Sequence, residues 1–121
     1  MRWDGLKRYC KEKFDSADIS DGNMIIGQYN KEGIVLVLLN DNFVRIEILM
    51  ERNHISDRNI YKALECSNAY LVGGILKCSA LEDVVYSITH CLSMDVSYEE
   101  FDDMLSVLIG AAKGIRRDLK G

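Results

Sequence analysis

The chain has 121 residues, 19 of them acidic and 15 basic, giving a formal net charge of -4, and 48% of its side chains are apolar. That is one domain's length of chain, residues 1–121, with enough apolar matter for a single core, and it lacks the basic excess that nucleic-acid binding requires. The longest aliphatic run, Ile34 to Leu39, is six residues against the roughly 20 needed to cross a bilayer, and no apolar signal segment is seen near Met1, so a cytoplasmic protein with no membrane partner is expected.

Trp3, Leu6, Cys10 and Phe14 recur at three- and four-residue spacing and predict an amphipathic helix from Trp3 to Phe14. The segment Asp15 to Asn23, with Ser16, Asp18, Ser20, Asp21 and Gly22, is rich in turn formers and reads as a connection. Three strands follow at Met24 to Asn30, Ile34 to Asn40 and Phe43 to Arg52, joined by Lys31-Glu32-Gly33 and by Asp41-Asn42.

A two-residue Asp41-Asn42 turn pairs Leu39 with Val44, Val37 with Ile46 and Val35 with Ile48, and makes those six side chains the core face. The opposite face then receives Ile34, Leu36 and Leu38 from the second strand and Arg45, Glu47 and Leu49 from the third. Tyr29 and Ile25 join it if Asn30 pairs with Gly33; a bulge at Gly33 substitutes Met24, Ile26 and Gln28. A strand oily on both sides needs both sides covered, so Tyr29, Ile34, Leu36, Leu38 and Leu49 are the candidate partner-binding or dimer face.

A short second helix is expected from Ser56 or Asp57 to about Asn68, then strands from Ala69 or Gly74 to Ala80 and from Val84 to Ser93. The last helix is entered by the capping box Ser97 to Glu100 and carries the stripe Phe101, Met104, Leu105, Leu108, Ala112, Ile115 and Leu119. Gly110 and Gly114 each cost that helix about 1 kcal/mol relative to alanine, and they are expected to let it approach the sheet closely. The expected class is therefore α+β, a five-stranded antiparallel sheet with three helices in the order α-β-β-β-α-β-β-α.

Chemistry is sparse. Cys10, Cys66, Cys78 and Cys91 are spaced by 56, 12 and 13 residues, which is no zinc-knuckle pattern, and they read as small buried thiols. His54 and His90 stand 36 positions apart, and neighbours on a strand such as His90 and Cys91 point to opposite faces and cannot form a nucleophile pair. Glu99, Glu100, Asp102 and Asp103 read as a solvated helix entrance, and Lys113, Arg116, Arg117 and Lys120 as complements to the helix dipole. No phosphate loop or nucleophile elbow appears. No catalytic, cofactor or metal site is expected, so the chain reads as a non-enzyme.

This element order from Trp3 to Leu119, with Asn68 leading into a two-strand unit and Ser97 to Glu100 opening a long closing helix, resembles the YbjN-like family of proposed bacterial sensory-transduction regulators. It is also similar to type III secretion chaperones. The resemblance implies an α+β sheet carrying helices, frequent homodimers and work done by binding proteins. The expected function is a non-catalytic protein-binding module, chaperone-like or regulatory, that pairs with a protein partner or with itself. The alternative is a small-ligand sensor with a pocket between sheet and helices near Tyr86, His90 and Tyr98.

Overall fold

The computed structural model describes residues 1–51, 75–78 and 84–120. In chain order these form α1 (Trp3–Lys13), β1 (Ser16–Asp18), β2 (Met24–Tyr29), β3 (Glu32–Leu39), β4 (Phe43–Glu51), β5 (Ile75–Cys78), β6 (Val84–Ser93) and α2 (Tyr98–Lys120). All neighbouring strands are antiparallel and lie in the order β1-β2-β3-β4-β6-β5.

The expected three helices, five strands and α-β-β-β-α-β-β-α order are thereby corrected: the described residues hold two helices and six strands. The helix expected at 56–68 lies outside the described residues, as does His54. The added strand is β1, in the segment read as a connection. Ser16, Ala17 and Asp18 pair with Gln28, Gly27 and Ile26, and the Asp15 N–H donates to the Gln28 carbonyl at 2.8 Å. Backbone pairing at an edge outweighs the turn preference of Ser and Asp.

Both tight hairpin turns use consecutive residues at positive φ, Asn30 and Lys31 in the first, Asn40 and Asp41 in the second. The first closes directly, pairing Tyr29 with Glu32. The second carries Asn42 as a third loop residue, its N–H donating to the Leu39 carbonyl at 3.2 Å, and Leu39 pairs with Phe43. The expected partners were Leu39 and Val44. A slip of one residue exchanges the two faces of a strand, and so Ile34 lies opposite Ile48, Leu36 opposite Ile46 and Leu38 opposite Val44.

Those residues form the inward face. Ile25, Ile34, Leu36, Val44, Ile46, Ile48 and Ile88 have no exposed surface and share one core with Leu6 and Cys10 of α1 and with Phe101, Leu105, Leu108, Ala112 and Ile115 of α2. Ser97 caps α2 as its sequence predicts: the Glu100 N–H donates to Ser97 Oγ at 3.1 Å. Gly110 does not serve close packing, because it is exposed and a Cβ there meets nothing within 4 Å.

Candidate interaction surface

The sheet has one face under α1 and α2 and one turned away from both. Strand alternation puts Met24, Ile26 and Gln28 of β2, Gly33, Val35, Val37 and Leu39 of β3, and Phe43, Arg45, Glu47 and Leu49 of β4 on the outward face. Ile26 and Phe43 are 49% and 48% exposed, and Met24, Val35, Val37, Leu39 and Leu49 are half-buried. In the middle of this face Arg45 Nε stands 3.4 Å from Glu47 Oε1, close enough for an ion pair yet without hydrogen-bond geometry. On β6 the same face holds Thr89, opposite Glu47 and buried, and Cys91, opposite Arg45 and exposed. The open apolar surface is concentrated over β2, β3 and β4.

Of the five residues expected to form a partner face, Tyr29, Ile34, Leu36 and Leu38 share a face, but it is the inward one. Ile34 and Leu36 are sealed in the core under the helices, while Tyr29 and Leu38 pack partly buried against that core. Leu49 alone lies on the outward face. The physical reason is the one-residue difference at the second hairpin, which turns Ile34, Leu36 and Leu38 inward and Val35, Val37 and Leu39 outward.

A hollow of about 800 Å³ opens where this face meets β1, and its floor includes Ile26, Gly33 and Leu49. Gly33 makes the dent. A Cβ built there would meet Leu49 at ordinary contact distance, 3.5 Å, so the Leu49 side chain bounds the hollow on that side. Lys11, Asp15 and Asp18 also line the hollow. Lys11 Nζ donates to the Ala17 carbonyl at 3.0 Å, and the Asp18 carboxylate accepts from Ser20 Oγ at 2.6 Å and from the Ser20 N–H at 2.9 Å. These two bonds, with Lys11 nearby, hold the Asp18 carboxyl below its ordinary range.

Helices and inward face are joined by polar contacts that the sequence did not announce. Arg116 of α2 grips the buried Glu32 carboxylate with two bonds of 2.5 Å and reaches the Leu49 carbonyl at 3.4 Å. The Tyr9 hydroxyl donates to the Asp102 carboxylate, and its ring stacks on Tyr98 at 5.0 Å. Burial first, and then that bond and the Asp102 charge, push the Tyr9 hydroxyl up. Cys10 is buried, and burial with the Asp102 charge pushes its thiol up to about 12. No spacing signal links Glu32 to Arg116 across 84 positions. Asp102, expected as helix-entrance charge, and Arg116, expected as dipole complement, each have a specific partner besides.

Cys91 is exposed on the outward face and His90 lies on the inward face, so the two neighbours do point apart. The Cys78 and Tyr86 side chains and Cys66 lie outside the described residues. Tyr98, expected near a sensor pocket, lines a second hollow with Trp3, Arg8 and Leu38. Among the described residues no group of three or more His, Cys, Asp and Glu side chains is placed to hold a metal ion, and no helix is long and apolar enough to cross a membrane.

No family model and no curated protein matches the chain. Among solved structures it is similar to the crystal structure of YbjN, a proposed transcription regulator from E. coli, at 13% identity and a TM-score of 0.62 over 93% of this chain and 87% of that one. That likeness shows that this chain has a YbjN-like α+β fold.

Proposed function

We propose that the protein is a non-catalytic binding module, regulatory or chaperone-like, that presents its outward sheet face to another protein or to a second copy of itself. The observation that carries this reading is the contiguous apolar surface over three strands, from Ile26 through Val35 and Val37 to Phe43. Soluble monomers seldom leave such a patch to water unless it binds something. A fold shared with a proposed regulator points the same way.

Light scattering of the wild type and of a Val35→Asp, Val37→Asp variant tests it. Self-association gives the wild type twice the 13.8 kDa chain mass and the variant a single chain mass with unchanged circular dichroism. A monomeric wild type whose Val35 and Val37 methyls respond to a soluble spin probe assigns the face to a different protein. A monomer whose methyls are already shielded overturns the reading, because its own chain then covers the face.

A further inference from the structure

We propose that the hollow over Gly33 is the seat for an extended segment of another protein, one that inserts a large apolar side chain flanked by lysine or arginine. This rests on the reading of the outward face as a binding surface and names what one corner of it takes. The floor supplies the apolar half of the argument. Ile26 is 49% exposed beside Gly33 and Leu49, and about 800 Å³ lies within the range of roughly 300 to 1,000 Å³ typical of ligand pockets. An anchor side chain lowered into such a dent loses water from the side it lays on the floor, and buried anchors of this kind are how a few residues come to dominate an interface.

The rim supplies the charge. Asp15 and Asp18 are exposed carboxylates at the hollow, and among its described lining residues they face one cation, Lys11, whose ammonium donates to the Ala17 carbonyl, so two negative charges stand against one positive. The local field is negative and the whole chain carries -4, so a cationic segment is attracted and an acidic one repelled. A second copy would bring its own carboxylate rim to this corner, which disfavours self-pairing there. Strand addition contributes little, since β1 offers three residues and the Ala17 carbonyl is already taken. The occupant is held by its side chains.

The test is an amide-shift titration with two synthetic peptides, one alternating Lys and Val around a central Leu, the other with Glu replacing every Lys. The Lys peptide should move the amides of Ser16, Ile26, Gly33 and Leu49, and bind at least about tenfold tighter than the Glu peptide. Gly33→Leu should fill the dent and weaken binding at least about tenfold, while Gly33→Ala, which adds only an ordinary contact, should keep it. Should Gly33→Leu fail to fold, Ile26→Asp at an exposed position asks the same question. Asp15→Asn with Asp18→Asn should weaken binding severalfold and flatten its salt dependence.

The proposal is overturned by no shift at millimolar peptide, by equal binding of both peptides, by shifts elsewhere, or by a Gly33→Leu variant that folds and binds normally. A neutral apolar small molecule competing equally well with the Lys peptide would overturn the cationic requirement. None of these outcomes touches the association lost in the Val35→Asp, Val37→Asp variant, so the hollow and the wider face fail separately.

Discussion

Ile34 and Val35 are neighbours of similar size and polarity, yet Ile34 has no exposed surface and Val35 keeps part of its own. The same holds for Leu36 against Val37. Inward, these side chains meet Ile46 and Ile48 across the strand pair and α1 and α2 above; outward, they meet Arg45 and Glu47. Two faces of nearly equal hydrophobicity therefore differ in what covers them. Hydropathy alone does not tell which side of such a strand is the core, and pairing register decides it.

The sharpest way to break that contrast is on the inward side. Truncating Leu36→Ala should cost about 2 to 5 kcal/mol by cavity formation, read as a fall in the denaturant midpoint, whereas Val37→Ala should cost clearly less. A Glu32→Gln change leaves the Arg116 guanidinium buried without its counter-charge and should cost about 3 kcal/mol. A Glu32→Leu, Arg116→Met double variant should recover much of that loss, which denaturant titration of both would show.

Titration sharpens the contrast further. Cys10, under the helices, has its thiol raised from 9.0 to about 12. The folded state therefore holds a proton that the unfolded chain releases above pH 9, so this contribution is intact below pH 9 and lost as pH rises from 9 towards 12. Stability should fall by about 1.4 kcal/mol per pH unit from this group within that window, and Cys10→Ala should flatten the slope. The smallest effect belongs to the water side of the covering helix, where Gly110→Ala should add up to about 1 kcal/mol because the new methyl meets nothing.

Much of the architecture was legible. The apolar runs of β2, β3 and β4 set between turn residues, the Ser97 cap and the stripe Phe101, Leu105, Leu108, Ala112 and Ile115 placed these elements close to where they are observed. In the first hairpin the expected pairing of Asn30 with Gly33 and the observed pairing of Tyr29 with Glu32 differ by an even step, so Ile25 and Tyr29 still share a face with Ile34. In the second, Asn40, Asp41 and Asn42 are all good turn residues, and nothing local says whether two or three of them form the loop. That one residue carried the candidate partner face to the wrong side. β1 was hidden because its pairing is made by β2 and not by its own composition. Glu32 with Arg116 and Tyr9 with Asp102 are long-range meetings with no periodic signature.

The most direct measurement is the thermal unfolding and chain mass of Val35→Asp beside Leu36→Asp. The inward and outward assignment predicts that Leu36→Asp fails to fold, because it buries a charge without a partner, while Val35→Asp unfolds near the wild-type temperature, as a single chain if the outward face is where the wild type pairs with itself. A folded Leu36→Asp protein together with an unfolded Val35→Asp protein would reverse the two faces and contradict the account.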